Sequence, residues 1–252
     1  MRFVLYNIRY GTGGKMTRFP LSGYLGRTHK HLDTLGRFLA DLHPDIIGLV
    51  EVDAGSYRSR RRNQAEELAD ELGHFHVYRS KYSERSAFAR WVPVLNKQGN
   101  ALLAREGIKA RRFHYLNAGM KRLVIELELD NVVIFLVHLA LSFRVRHGQL
   151  SDLQKLIREC RKPLLVAGDF NALWGEAEID LFLAATGLRN ANPRNEPSFP
   201  SWAPKRHLDF ILHSPGIQIN RFDVPKVPYS DHLPLVCDFD VPDPSWGGHE
   251  RA

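Results

Sequence analysis

The stretch Pro163–Asn171 reads P-L-L-V-A-G-D-F-N and carries the strongest signal in this chain for fold and chemistry together. Its apolar part has the length of a buried strand and ends at Gly168, a residue that permits a tight turn of the backbone. Asp169 and Asn171 follow, and alternate residues of an extended chain point to the same side. A carboxylate beside a neutral hydrogen-bond donor is typical of a site that binds a hard cation and an oxyanion.

Other apolar runs of strand length also end in polar residues. The runs are Phe3–Ile8, Asp45–Val52, His74–Tyr78, Ala101–Ala104, Leu123–Leu129, Val132–Leu139, Leu164–Ala167, Leu208–Leu212 and Leu233–Phe239. The polar residues at their ends are Asn7, Glu51, Asn100, His138, Asp209, Asp231 and His232. Taken singly, several of these are equally consistent with turn residues, caps or a core histidine. Because sites in layered α/β proteins assemble at strand ends, the whole set predicts one site at one sheet edge.

The order of helices and strands predicts the fold class. Helical periodicity is present at His31–Leu42, Gln64–Leu72, Leu150–Cys160 and Ala177–Ala185. A strand pair at Leu123–Leu139, turning at Asp130–Asn131, interrupts the alternation of strand and helix. Two mixed sheets packed together with helices outside, in a single α/β domain over 1–241, explain this better than an all-parallel sheet. Residues 242–252 are predicted to be a loose tail.

Composition narrows the class of protein. The chain has 252 residues, 44 % apolar and 25 % charged, which suffices for a substantial core. No run is apolar enough for a membrane helix, and nothing indicates an obligate protein partner. Cys160 and Cys237 are too few for a disulfide scaffold or a thiolate metal site. With a strand-like rather than signal-like start, these features favour a cytoplasmic location.

Positive charge is clustered as well as abundant. The formal net charge is +7. The clusters comprise Arg58, Arg60, Arg61 and Arg62, then Arg111, Arg112, Lys121 and Arg122, and finally Arg144 and Arg146. Such clusters favour phosphate-bearing partners, namely nucleic acid, anionic lipid or a phosphorylated small molecule. For each cluster singly, a solvated basic face is an equally good interpretation.

Three motifs carry a resemblance to a known family. They are G-D-F-N at 168–171, L-D-F-I at 208–211 and S-D-H-L-P-L at 230–235, following Asn7 and Glu51. In this order they resemble the endonuclease/exonuclease/phosphatase superfamily, which includes pancreatic-type deoxyribonuclease, abasic-site endonucleases, bacterial sphingomyelinases and inositol polyphosphate 5-phosphatases. The resemblance implies a DNase I-like four-layer α/β/β/α sandwich and phosphoester hydrolysis that depends on Mg²⁺ or Mn²⁺.

The resemblance also implies roles for individual residues. Glu51 is similar to the principal metal ligand, with Asn7 beside it and Asp231 nearby. Asp169 resembles the carboxylate that orients or deprotonates water, and Asn171 resembles the amide that holds a phosphate oxygen. Asp209 and His232 resemble the family's acid–imidazole pair, which leaves two alternatives for the base. His138 matches a second histidine that faces the phosphate, and Glu84 is a candidate to orient it. Further substrate-phosphate contacts are expected at Asn100, Arg58 and Arg144.

The substrate is predicted less sharply than the chemistry. A nuclease is favoured, since arginines could grip a phosphate backbone and Tyr57, Trp91, Phe199 and Trp202 could stack on bases. The alternative is a phosphatase or phosphodiesterase acting on a lipid headgroup or inositol phosphate, with Phe88, Trp91, Val92 and Val94 at an interface. A binding module that retained the fold is the least favoured hypothesis, because every expected catalytic position is filled.

Overall fold

Apolar strands and amphipathic helices alternate along most of the chain. The computed structural model describes residues 1–14, 29–80, 97–173 and 175–242. Its strands are β1 (Arg2–Asn7), β2 (Ile46–Asp53), β3 (Phe75–Ser80), β4 (Gln98–Ala104), β5 (Ala110–Tyr115), β6 (Leu123–Glu128), β7 (Val133–His138), β8 (Leu164–Asp169), β9 (Arg189–Asn190), β10 (Asp209–His213), β11 (Gln218–Asp223) and β12 (Leu235–Asp240). Its helices are α1 (His29–Asp41), α2 (Gln64–Leu72), α3 (Phe143–Glu159) and α4 (Ala177–Thr186), with a 3₁₀ turn at Arg9–Gly11.

The strands form two mixed six-stranded sheets. One sheet has the order β11-β12-β1-β2-β4-β3, and the other has the order β5-β6-β7-β8-β10-β9. In the first sheet β1 and β2 are parallel, and in the second β7 and β8 are parallel. The remaining pairs are antiparallel. Each sheet therefore has a central parallel pair whose carboxyl ends lie side by side.

Three apolar clusters hold four layers together. The largest lies between the sheets and includes Leu5, Leu136 and Ile211. A second packs α3 and α4 onto the β5–β10 sheet, and a third packs α1 and α2 onto the β1–β4 sheet. This arrangement confirms the predicted α/β/β/α sandwich of DNase I-like type.

Burial explains where the predicted elements and the observed ones differ. The strands β5 and β11 were not predicted, because their residues are mostly polar and partly exposed and so show no apolar run. Helix α3 begins at Phe143 rather than at Leu150, since its first two turns hold polar residues and Gly148. In the part of the chain that the structure describes, no helix is long and apolar enough to cross a bilayer. The tail predicted at 242–252 lies outside the described residues except for its first member.

Candidate active site

Asp169 lies where the two sheets meet, at the carboxyl end of β8. Gly168 precedes it with φ +151°, and a Cβ there would lie 1.9 Å from the backbone oxygen of Val137. Only glycine therefore lets β8 pass β7 closely enough to bring Asp169 opposite His138 in the parallel register. Asn7 of the other sheet donates its amide to Asp169 Oδ2 at 3.0 Å. This bond joins the sheets at the edge where the strand ends converge.

Asn171 is held beside Asp169 by local backbone geometry. Its φ is +53°, a left-handed conformation that asparagine tolerates better than most residues. Its backbone N–H donates to Asp169 Oδ1 at 2.9 Å, and its Nδ2 donates to the carbonyl oxygen of Leu139 at 2.9 Å. The side-chain amide is therefore fixed in orientation beside the carboxylate, by a left-handed turn after β8 and not by the extended chain that the i, i+2 spacing was taken to indicate.

Asp209 and His232 form a buried acid–imidazole pair. Asp209 opens β10 directly opposite Asp169 in the antiparallel register. His232 Nδ1 lies 2.7 Å from Asp209 Oδ2, and Ser198 Oγ donates to the same oxygen at 2.6 Å. The Phe199 ring packs on the His232 imidazole, with 4.8 Å between the ring centroids. These contacts fix the imidazole so that Nε2 is the nitrogen available for chemistry.

Burial and neighbouring charges set the protonation of this cluster. Burial lowers the pKa of His232, but the carboxylates of Asp209, Asp169 and Asp231 outweigh it and raise that pKa to about 10. Burial raises the pKa of Asp169 to about 6, where the positive charge of His232 opposes the effect and the charge of Asp209 adds to it. Burial likewise raises the pKa of Asp231. At neutral pH the cluster therefore holds an imidazolium beside a weakly basic carboxylate.

Glu51 enters the site through an irregularity in β2. Its φ is +59°, and the register between β2 and β4 shifts between Leu49 and Val52. The shift turns Glu51 out of the strand alternation. Its backbone N–H donates to Asn100 Oδ1 at 3.4 Å, and Asn100 is fully buried on β4. A left-handed glutamate in a buried strand is costly, and such strain is concentrated at functional sites.

The carboxylate of Glu51 faces positive and imidazole groups. Its Oε1 lies 3.9 Å from His138 Nε2 and 4.0 Å from Lys121 Nζ. His138 Nε2 also lies 3.4 Å from Asp169 Oδ2 and is in hydrogen-bond contact with Lys121 Nζ. Lys121 Nζ therefore contacts both His138 and Glu51, and it brings a positive charge to this side of the site.

Arg9 and Asp231 complete the cluster beyond Asn7. The backbone N–H of Arg9 donates to Asn7 Oδ1 at 3.1 Å, and Arg9 Nε lies 3.3 Å from Asp231 Oδ2. Ser230 Oγ donates to the carbonyl oxygen of Asn7 at 2.7 Å. This bond ties the segment before His232 to the end of β1. The structure thus brings together Asn7, Glu51, Asn100, His138, Asp169, Asn171, Asp209, Asp231 and His232.

The chemistry of the donors fits a hard divalent cation on the Glu51 side. Glu51, Asp231 and Asn7 offer carboxylate and amide oxygens, the ligands that Mg²⁺ and Mn²⁺ prefer. A second group, Asp169, Asp209 and His232, has potential ligand atoms within 4.8 Å of one another. In this second group His232 Nδ1 is bonded to Asp209, and the raised pKa of the imidazole keeps it protonated.

The two arginines predicted to contact phosphate lie in different environments. Arg58 is fully buried, where its Nη2 lies 2.9 Å from Asp53 Oδ2 and its guanidinium stacks over the Tyr10 ring. A contact with substrate phosphate would require this ion pair to open. Arg144 is exposed in the first turn of α3.

Lys121, Arg9, Ser198 and Ser230 were not predicted as site residues. Lys121 stood in a basic cluster with three arginines, and nothing in that pattern distinguishes the member that reaches Glu51 from those that do not. The serines carry no signal beyond ordinary turn composition. Glu84, proposed to orient His138, lies outside the described residues, as do Phe88, Trp91, Val92 and Val94.

Comparison with known proteins identifies the family of this chain. The sequence model of the Endonuclease/Exonuclease/phosphatase family matches residues 4–232, a range that contains the whole cluster from Asn7 to His232. The chain belongs to this family. Its members are phosphoester hydrolases, so the recognition made from G-D-F-N, L-D-F-I and S-D-H-L-P-L is confirmed.

Individual relatives match only part of this chain. A UPF0294 protein from Vibrio cholerae is 32 % identical over 117 residues, which cover 44 % of this chain and 40 % of that protein. Human nocturnin is 31 % identical over 125 residues, covering 39 % of this chain and 29 % of nocturnin. The match therefore spans less than half the length of either curated relative.

Solved structures extend the likeness over nearly the whole chain. The human nocturnin catalytic domain with bound sulfate anion aligns with a TM-score of 0.66 at 23 % identity, covering 96 % of this chain and 93 % of that one. A mannosyl-6-phosphatase from Bacteroides thetaiotaomicron aligns with a TM-score of 0.70 at 14 % identity, covering 95 % and 99 %. At these identities the likeness shows the fold.

Proposed function

We propose that this protein is a divalent-metal-dependent phosphoester hydrolase that uses activated water, and that its substrate is nucleic acid. The observation that carries the hydrolase proposal is the Asp209–His232 pair opposite Asp169, with Asn171 fixed at the same edge. Together they provide an imidazolium, a carboxylate of raised pKa and an oriented amide. Attack of water on a phosphoester needs a proton acceptor and donors for the developing oxyanion.

In this proposal the residues of the cluster divide the work. Asp169 accepts the proton of the attacking water, because burial raises its pKa to about 6, close to neutral pH. His232, held by Asp209, donates from Nε2 to a phosphate oxygen as charge develops there. Asn171 donates its remaining side-chain N–H to a second oxygen. Asp209 fixes the imidazole and favours its protonated form.

A bound cation would add to this machinery without replacing it. Glu51, with Asn7 and Asp231, would hold Mg²⁺ or Mn²⁺, which offsets negative charge on the phosphoester oxygens. Asn100 supports Glu51 through the backbone N–H of the strained residue. Asp231 is in turn held by Arg9, which limits its freedom to move.

The hydrolase proposal is tested with a phosphodiester and a phosphomonoester of p-nitrophenol, each assayed with Mg²⁺ or with EDTA. We expect turnover with the metal, and a loss of at least about 10²-fold in Asp169→Asn and in His232→Ala. Asp130→Asn and His147→Ala alter exposed residues of the same types and should keep the wild-type rate. Wild-type rates in either site variant would contradict the proposal.

The choice of nucleic acid rests on exposed basic and aromatic groups in the loop that follows β2, the strand of Glu51. The loop after β2 exposes Arg60 and Arg61, and the Tyr57 side chain is 59 % exposed. Exposed arginines favour a phosphate backbone, and an exposed ring can stack on a base. The net charge of +7 supports the same class of substrate.

The substrate class is tested with plasmid DNA, single-stranded DNA, RNA, abasic duplex, phosphatidylinositol phosphates and sphingomyelin in parallel. We expect cleavage of a nucleic acid that weakens as salt rises, because phosphate contacts release counterions. The double variant Arg60→Ala, Arg61→Ala should lose that cleavage but retain turnover of the p-nitrophenyl esters. Turnover of the lipids alone would reject the nuclease.

A phospholipid or inositol-phosphate substrate is the second candidate function. It is favoured by the exposed side chains of Leu141 and Phe143, 54 % and 55 % accessible, which precede Arg144 just beyond His138. Apolar side chains beside a basic residue suit a membrane interface. The lipid arms of the same panel test it.

A further inference from the structure

Lys121 brings a cation into the cluster from a connection that carries no predicted site residue. It lies in the connection between β5 and β6 of one sheet, whereas Glu51 belongs to β2 of the other sheet. Its Nζ contacts His138 Nε2 and lies 4.0 Å from Glu51 Oε1. The side chain is 27 % exposed, so it borders the site rather than filling the core. An approaching anion can therefore reach the ammonium.

A buried glutamine holds the backbone of this connection. Gln149 of α3 has no exposed surface, and its Nε2 donates to the carbonyl oxygens of Ala118 at 2.9 Å and of Lys121 at 2.7 Å. Its Oε1 accepts from the backbone N–H of Ala140 at 2.8 Å. Gln149 thus ties Lys121 to the segment just after His138. The two groups that meet in the site are positioned by one side chain.

Two further contacts restrict the same connection. Asp152 of α3 accepts from the backbone and side chain of Asn117, at 2.9 and 3.0 Å. Gly119 has φ +85°, and a Cβ there would lie 2.7 Å from the Val145 side chain and 3.2 Å from Gln149 Nε2. A connection attached at both ends to one helix presents its lysine in a fixed place. An exposed lysine of ordinary surface function needs no such support.

We propose that Lys121 is a further catalytic residue, which contacts a phosphate oxygen of the substrate, and that Gln149 is its positioning residue. This proposal rests on the proposed function for the identity of the substrate phosphate. Lys121 Nζ contacts His138 and lies 4.0 Å from Glu51 Oε1, so it supplies a positive charge on that side. When a phosphate enters, the ammonium exchanges its bond to His138 for a charge-assisted bond to the anion.

The positive charge of Lys121 should favour phosphate binding but disfavour the binding of a cation by Glu51. An ammonium about 4 Å from the carboxylate partly neutralises it and repels a second positive charge. Removal of the charge should therefore weaken phosphate binding and strengthen Mn²⁺ binding. If Lys121 had a purely structural role, its replacement would weaken phosphate and Mn²⁺ binding together or leave both unchanged, because lost packing does not distinguish anions from cations.

The test measures inorganic phosphate by calorimetry without metal and Mn²⁺ by electron paramagnetic resonance without phosphate. We expect Lys121→Met to bind phosphate about tenfold more weakly than wild type and Mn²⁺ more tightly. Lys121→Arg should keep phosphate affinity within about threefold, because the guanidinium retains charge and donors. Lys109→Met, at an exposed side chain paired with Asp130, removes the same net charge and should change neither affinity.

A positioning role for Gln149 has its own signature. Gln149→Leu removes the amide donors to Ala118 and Lys121 without adding a charge. We expect weaker phosphate binding with unchanged Mn²⁺ affinity. If the variant fails to fold, Asp152→Ala, which releases Asn117 at the surface, gives the same readout.

The outcomes separate this proposal from the proposed function. Equal phosphate and Mn²⁺ affinities in wild type and Lys121→Met would overturn it, as would a wild type with no measurable phosphate affinity. If phosphate binding depends on Lys121 but no phosphoester is hydrolysed with Mg²⁺, the hydrolase proposal fails while the anion contact stands. If turnover is present and both affinities are unchanged in Lys121→Met, the Lys121 proposal alone fails.

Discussion

At the residue scale, the site depends on carboxylates that change the chemistry of their neighbours. Asp209 is the clearest case, since it binds His232 Nδ1 at 2.7 Å and raises the pKa of that imidazole against the effect of burial. Glu51 is a second case, because a left-handed backbone turns its carboxylate toward His138 and Lys121. In both, conformational or desolvation cost is offset by a specific electrostatic contact.

Replacement of Asp209 tests this dependence through pH. The folded-state pKa of His232, about 10, is above its ordinary value of 6.5. The pair therefore contributes stability in full below pH 6.5, and loses it as pH rises toward 10. Asp209→Asn should lower the free energy of unfolding most near pH 6.5, with a difference from wild type that shrinks toward pH 10. Urea unfolding across this range measures it, and a pH-independent difference would contradict the assignment.

At the element scale, single positions at strand and helix ends decide where the site residues lie. Gly168 allows β8 to approach β7, and the Arg146–Glu178 pair attaches the segment after β7 to α4. Arg146 Nε donates to Glu178 Oε1 at 2.8 Å, and its Nη1 donates to the carbonyl oxygens of Ala140 and Leu141 at 2.9 Å. These contacts hold the backbone that follows His138.

Gly168→Ala should destabilise the protein severely. The added Cβ would lie 1.9 Å from the backbone oxygen of Val137, so β8 must move and carry Asp169 with it. We expect a loss of at least about 3 kcal/mol in the free energy of unfolding, measured with urea. Gly148→Ala on α3, whose Cβ meets nothing within 4 Å, should instead gain about 0.5–1 kcal/mol. Similar effects of the two substitutions would refute the role given to Gly168.

Arg146→Met should expose the cost of breaking a buried ion pair. It leaves Glu178 charged in a buried place and frees the carbonyl oxygens of Ala140 and Leu141. We expect a loss of about 3–5 kcal/mol on thermal or urea unfolding. Lys109→Met breaks an ion pair with Asp130 in which both side chains are exposed, and should cost no more than about 1 kcal/mol. A small effect at Arg146 would show that this pair contributes little.

The sequence predicts those elements whose burial leaves a periodic pattern. Apolar runs revealed β7 and β8, because both faces of these strands are buried. The strands β5 and β11 lie at sheet edges with polar, partly exposed residues, so their pairing comes from neighbouring strands. The start of α3 was missed for a similar reason, since its first turns are polar and its position depends on Arg146 and Gln149.

At the scale of the whole molecule, the site exists because two sheets pack face to face. Asn7 and Glu51 come from one sheet, and Asp169 and Asp209 come from the other. The strand-end pattern predicts this convergence, because burial of unpaired polar groups in the apolar core is costly and the ends of neighbouring strands meet at one sheet edge. It does not predict Lys121, because the position of Lys121 depends on a hydrogen bond from the Gln149 side chain of α3 to its backbone carbonyl oxygen.

A cavity between the sheets should therefore weaken the entire fold at once. Leu136 is fully buried in the cluster that joins the sheets, so Leu136→Ala should cost about 2–5 kcal/mol. Circular dichroism and tryptophan fluorescence should report the same shifted transition. Leu181→Ala, at a side chain 69 % exposed, should change stability by no more than about 0.5 kcal/mol. Separate transitions for the two probes would show that the layers unfold independently.

In the proposed reaction, water activated at Asp169 attacks phosphorus in this cluster. Hydrolysis of a p-nitrophenyl phosphoester in ¹⁸O-labelled water, with Mg²⁺ and followed by phosphorus NMR, tests it most directly. We expect each turnover to place one labelled oxygen on the product phosphate, and Asp169→Asn to lose this reaction while keeping the wild-type fold. Unlabelled product phosphate, or labelled product formed by Asp169→Asn at the wild-type rate, would contradict it.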